Sequence, residues 1–176
     1  QSGQALADRK GDAKAAIDTE AAKETAAINH DATLTANEKA SQKQAVADEA
    51  TKAKEAIDAA KQADAVDQAK TDGIKAIDAQ HHSGQALDDR KADAKQAIDA
   101  EAAKVTAAID QDNTLTKAQK AAQKQGVATE ADKAKQAIDA AGDADAVDQA
   151  KTAGIQAIDA QHKAGKTIDS LSLIHI

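Results

Sequence analysis

The side chains best suited to chemistry in this sequence are five histidines, a recurring Ile-Asp dipeptide, a set of Lys-x-x-x-Asp pairs and two glycines inside helical patterns. His81 and His82 are adjacent, so on a helix they point about 100° apart, unlike the i, i+4 pair that chelates a metal. His30 becomes Gln111 and His82 becomes Lys163 in the second half of the chain, so the histidines read as solvated and no metal ligand is assigned. The Ile-Asp pairs supply many carboxylates, but acid/base work also needs a pocket and a nucleophile or a substrate wall, and no such set stands near them. The pairs Lys14/Asp18, Lys54/Asp58, Lys95/Asp99 and Lys135/Asp139 have helical spacing in the weaker orientation, so each is worth a few tenths of a kcal/mol. They read as aids to solubility. Gly73 and Gly154 each cost about 1 kcal/mol relative to Ala within a helix. With no Gly-rich loop around them, close approach of a neighbouring backbone is a better reading than a phosphate cradle. No catalytic residue and no cofactor site emerges, and the chain reads as non-enzymatic.

The elements that position these residues follow from one hexamer. Ala53-Lys54-Glu55-Ala56-Ile57-Asp58 has close copies at 13–18, 94–99 and 134–139, and a shortened Ile-x-Ala-Ile-Asp stands at 74–78 and 155–159. Each places one β-branched residue among alanines, which on a helix is a single buried knob on a narrow apolar stripe. The hexamers belong to a longer repeat. Residues 2–80 align without gaps on 83–161, an offset of 81, with 59 identities in 79 positions. The chain therefore divides into repeat 1 (1–81), repeat 2 (82–162) and the opening of a third copy (163–176), where Ile168 stands for Leu87. The tail from Ser170 to Ile176 departs from the repeat and reads as an expression-vector scar.

Composition sets the fold class. More than a quarter of the residues are Ala, and Pro, Cys, Met, Phe, Tyr and Trp are absent. Without proline the commonest helix breaker is missing, and without aromatics the core must be thin and close-packed. Disorder is the competing reading for a chain that is 30% charged. The regular Ile, Val and Leu positions argue against it and for an all-α protein. Net charge of −7 with scattered lysines disfavours nucleic acid and anionic membranes as partners, and no apolar run is long enough to span a bilayer.

Each repeat reads as three helices. The first runs from about Gln4 to Asn29, with Leu6, Ile17 and Ile28 eleven residues apart along one stripe. The second runs from about Ala36 to Ala60 and carries Val46 and Ile57. The third carries Val66, Ile74 and Ile77. The second repeat sets Leu87, Ile98, Val105, Ile109, Val127, Ile138, Val147, Ile155 and Ile158 in the corresponding places, and Leu34 and Leu115 sit in the first loops. Thr35-x-x-Glu38 and Thr116-x-x-Gln119 are capping boxes. Asp64 and Asp145 are the expected caps of the third helices, with Asp67 and Asp148 in the first turn. Glu24 stands where Val105 stands in the second copy, a polar weak spot on the first core stripe. The junction 80–84 contains no Pro and only one Gly, so the third helix is expected to continue into the next repeat. Bundles would then stack end to end as an elongated rod, advancing roughly 35–40 Å per repeat.

The order Ala-Lys-x-Ala-Ile-Asp, then Leu34-Thr35 or Leu115-Thr116, then Asp-Ala-Val-Asp-Gln-Ala-Lys-Thr-x-Gly-Ile at 64–74 and 145–155 resembles a known family. It is similar to the domain-of-unknown-function 1542 repeat of Gram-positive cell-wall-anchored surface proteins. The resemblance implies a spacer or stalk of an extracellular adhesin, in long tandem arrays linked to adhesion, aggregation and biofilm. It supplies no catalytic or ligand residues. The partners it implies are neighbouring repeats, with a host or cell-surface protein as the alternative if the module binds.

Overall fold

The computed structural model describes residues 3–167, and every regular element among them is an α-helix. The elements are α1 (Leu6–Asn29), α2 (Ala36–Ala59), α3 (Ala63–Asp78), α4 (Leu87–Gln111), α5 (Lys117–Ala140) and α6 (Ala144–Asp159). Ile168 and the tail lie outside the described residues. The chain forms two compact units that divide between Gly84 and Gln85, three residues later than the sequence boundary.

Within unit 1 the helices run up, down and up. Lys10 Nζ donates to Asp58 O (2.7 Å) and Lys39 Nζ to Asn29 O (2.9 Å), which sets α1 antiparallel to α2. Arg9 holds both oxygens of Asp67 at 2.9 Å near the start of α1 and α3, and Glu20 meets Asp78 further along, so these two helices run parallel. Unit 2 repeats the pattern with Arg90 on Asp148.

Each unit closes over its own core. Ile17, Ile28, Leu34, Val46, Ile57, Val66 and Ile77 are buried in the first, and Ile98, Val105, Ile109, Leu115, Val127, Ile138, Val147 and Ile158 in the second. Ile74, Ile155 and Leu87 pack half-buried against these clusters. Leu6 differs from its expected place in the core: it is 36% exposed. It is the first residue of α1, about one turn before Arg9. Alanine fills the rest of the interior, with Ala13, Ala50 and Ala53 buried, so the helix axes come close.

Gly73 sits at one such close approach. A Cβ there would lie 2.5 Å from Ala53 Cβ and 2.8 Å from Ile17 Cδ1, and Gly154 meets Ala134 and Ile98 identically.

The helix does not continue between repeats. α3 ends at Asp78, residues 79–86 are non-helical, and α4 begins at Leu87. Side chains of unit 1 satisfy the backbone there: Thr33 Oγ1 accepts from Gly84 N (2.8 Å), and Gln42 both donates to His82 O (2.8 Å) and accepts from His82 N (3.3 Å). Backbone groups bonded this way have no need of a helix.

The capping boxes form as expected. Thr35 Oγ1 accepts from Glu38 N and Glu38 Oε2 accepts from Thr35 N, with Thr116 and Gln119 arranged alike. The caps of the third helices are corrected. α3 is capped by Gln62 and α6 by Asp143, because each helix begins at the alanine before the expected aspartate. Asp143 accepts from Ala146 N at 2.8 Å, whereas Gln62 makes no side-chain cap bond. Asp64 and Asp145 lie in the first turn, where a carboxylate suits the helix dipole. Asp67 and Asp148, expected there, lie one turn deeper and hold the arginines.

Candidate functional site

The two hexamers in each unit face each other across the first two helices of the bundle. Their lysines reach across helices and not along them. Lys14 Nζ meets Asp58 Oδ1 at 2.8 Å and Lys54 Nζ meets Asp18 Oδ1 at 2.8 Å. Lys95–Asp139 (2.8 Å) and Lys135–Asp99 (2.9 Å) repeat the exchange. Ile17 and Ile57 are buried on facing helices that run in opposite directions, so a lysine three residues before one isoleucine falls beside the aspartate that follows the other.

His81 is not simply solvated. Its Nε2 lies 2.8 Å from Asp31 Oδ2, and its Nδ1 is 4.0 Å from Glu24 Oε2. His162 pairs with Asp112 at 2.8 Å in the same way. Burial pushes the Asp31 carboxyl up, but hydrogen bonds from Thr33 Oγ1, His81 and Thr33 N–H together outweigh it and hold the group below its usual range. In unit 2 the Thr114 hydroxyl, then His162 and the Thr114 N–H, bring Asp112 down to about 2. His30 and His82 are exposed, and His175 lies outside the described residues.

A carboxylate cluster adds to what the sequence reading contains. Oxygens of Glu20, Glu24 and Asp78 lie within 4.8 Å of one another. Lys23 pairs with Glu20 and stands 4.0 Å from Glu24. The bonds from Lys23 and then Asp78 hold Glu20 below the usual carboxylate range, while the bond to Glu20, with burial behind it, pushes Asp78 up. The i, i+4 spacing of Glu20 and Glu24 is the available signal in the sequence, but the third member comes from another helix. Unit 2 keeps Glu101, Lys104 and Asp159 and sets buried Val105 where Glu24 stands. Glu24 itself is mostly buried, its side chain 13% exposed.

Between α2 and α3 runs a shallow groove of about 450 Å³, floored by Ala53, Ala69, Gly73 and Ala76 and edged by Glu49 and Lys52. Unit 2 carries a counterpart of about 250 Å³ on Ala134, Ala137, Ala153 and Gly154. Neither groove is lined by a histidine or a hydroxyl-bearing side chain. Among the described residues no helix is long and apolar enough to cross a membrane.

These features define a class: a tandem repeat of three-helix bundles, each with an Ile-centred interior and a surface of exchanged ion pairs. The family model Domain of Unknown Function (DUF1542) matches residues 9–84 and again 90–165, and the chain belongs to this family. No curated protein and no solved structure matches the chain.

Proposed function

We propose that the chain is a structural spacer: a stalk segment of a bacterial cell-surface adhesin, built of bundles stacked end to end, that projects an adhesive region from the cell wall and has no enzymatic activity. One observation carries this reading. Of the twenty positions at which the two copies differ, eighteen are exposed in unit 1, the other two, Glu24 and Ala45, are half-buried, and none is buried. In unit 2 the only buried one is Val105, the counterpart of Glu24, so apart from that position the interior is held constant while the surface drifts, as expected where shape is the working property.

Small-angle X-ray scattering on the chain tests the proposal. Each long helix has 24 or 25 residues and spans about 36 Å. Two bundles in line give a rod of roughly 80 Å. A compact particle near ~50 Å would sink the spacer reading.

The alanine-floored groove, present in both units, favours a second reading: a module that binds a host protein or itself. Neither groove holds the Tyr, Trp or Arg that anchor protein interfaces, which is why this reading ranks second. Capture of one serum or matrix protein, or concentration-dependent self-association, would favour binding over spacing.

A further inference from the structure

The segment after α3 is bound to its bundle in a way that separates backbone from side chain. Four residues define the pattern. His81 gives its ring to Asp31, His82 gives its backbone N–H and C=O to Gln42, Ser83 is exposed, and Gly84 gives its N–H to Thr33 Oγ1. A Cβ on Gly84 would run into Thr33 O. In unit 2 the same bonds run from His162, Lys163 and Gly165 to Asp112, Gln123 and Thr114. A Cβ on Gly165 would meet Thr114 O in the same way.

The two positions whose side-chain identity matters, His and Gly, are the same in both copies. The two between them change, His82 to Lys163 and Ser83 to Ala164. Gly3 is the same repeat position again, and there a Cβ would meet nothing within 4 Å. The glycine is therefore fitted to its contact with the loop and not to a turn of its own; the glycines among the described residues show no positive φ.

None of the fully buried side chains belongs to this segment. A Cβ on Gly84 would lie 3.4 Å from the core residue Leu34. Ala79 and Gln80 are still bonded to the last turn of α3, but from His81 to Gly84 the attachments are side-chain hydrogen bonds, part-buried at His81 and Gly84 and exposed at His82, whereas the helices are joined through the Ile and Val core. Weakly attached segments of this kind open locally at lower cost than the whole fold.

We propose that residues 79–86 form a releasable latch: a docked strap that leaves the Asp31–Thr33–Gln42 surface without unfolding the bundle, and that 160–165 does the same on Asp112, Thr114 and Gln123. Release frees the eight residues between α3 and α4, which extended reach at most about 28 Å. Both cores stay closed while the segment is released. The latch belongs to the fold and does not depend on the spacer role.

Amide hydrogen exchange by NMR on the full chain tests it. The Gly84 and Gly165 N–H groups are expected to be protected relative to an open peptide, yet to exchange faster than those of Ile57 and Ile138. Thr33→Ala should speed Gly84 by about five- to tenfold while Gly165 and Ile57 hold their rates. Gln42→Ala, on α2, should do the same at His82. The latch is overturned if Gly84 is unprotected in the wild type, which would mean no docking. It is equally overturned if Gly84 and Ile57 exchange together and both variants move them together, or if neither variant moves the strap amides.

Discussion

Lys14 on α1 meets Asp58 on α2 at 2.8 Å, while Asp18, one turn along its own helix, is taken by Lys54. The exchange ties the two antiparallel helices on both sides of the buried Ile17 and Ile57. Both members are substantially exposed, so the pair is worth a few tenths of a kcal/mol. A double-mutant cycle on Lys14→Ala and Asp58→Ala is expected to give a coupling of about 0.3–0.5 kcal/mol in thermal unfolding. The cycle on Lys14 and Asp18 should give a coupling near zero. The reverse ranking would mean that the pairs act within a helix.

The third helices offer a second prediction, because the two copies solve the same cap differently. Asp143 accepts from Ala146 N, while Gln62 makes no side-chain cap bond. Gln62→Asp is expected to raise the stability of unit 1 by about 0.5–1 kcal/mol, read from chemical denaturation. Asp143→Ala should lower unit 2 by a similar amount. No change in either would show that these caps contribute nothing.

Much of this fold is legible in the sequence, and what escapes it has a physical pattern. Ile17, Ile28 and Ile57 can be placed because eleven-residue steps, from Leu6 and from Val46, stay on one face of a straight helix, and Thr35 because a capping box is complete within four residues. The Lys-x-x-x-Asp pairs mislead because the same spacing fits a contact along one helix and a contact between two antiparallel ones. Only the facing isoleucines decide between them. The strap escapes because Gln42 reads the backbone of His82, forty residues away, and a backbone group leaves no trace in the sequence. The repeated Asp31-x-Thr33 and His81-x-x-Gly84 are its visible halves.

Glu24 marks the clearest difference in core quality between the units. Its side chain is 13% exposed beside Glu20 and Asp78, whereas Val105 is 6% exposed in the core of unit 2. Glu24→Val removes a carboxylate from a crowded acidic site and buries apolar surface in its place. We expect a gain of about 1 kcal/mol, a rise of about 4–8 °C in the melting of unit 1 by differential scanning calorimetry. An unchanged or lower value would show that the contact with His81 outweighs the burial.

Glycines separate propensity from packing. Gly11 lies inside α1, where an added methyl would meet nothing within 4 Å, and the second repeat already has Ala92 there. Gly11→Ala should stabilise unit 1 by about 0.5–1 kcal/mol. Gly73→Ala gains the same propensity but drives a methyl into Ala53 and Ile17, an overpacking cost of about 1–3 kcal/mol. The expected outcome in urea unfolding is opposite signs for the two variants. Stabilisation by both would mean that α2 and α3 can separate freely.

The Glu20–Asp78 pair gives stability a pH dependence whose sign can be worked out. Asp78 is pushed up chiefly by its hydrogen bond to Glu20. A carboxyl raised in the folded state contributes its stability fully below its unfolded value of 3.8, and loses that contribution as pH rises through the folded value. At pH 7 both carboxylates are charged and oppose each other, with Lys23 offsetting part of the repulsion. Asp78→Asn replaces the acid with a permanent donor to Glu20. Its melting temperature should exceed the wild type's by about 1–3 °C at pH 7, and the gap should close by about pH 3, where Asp78 carries its own proton. Asp159→Asn should behave alike against Glu101, since that pair is shifted in the same directions. A gap that persists unchanged at low pH would trace the gain to something other than the shared proton, and no gap at neutral pH would mean that Lys23 already neutralises the pair.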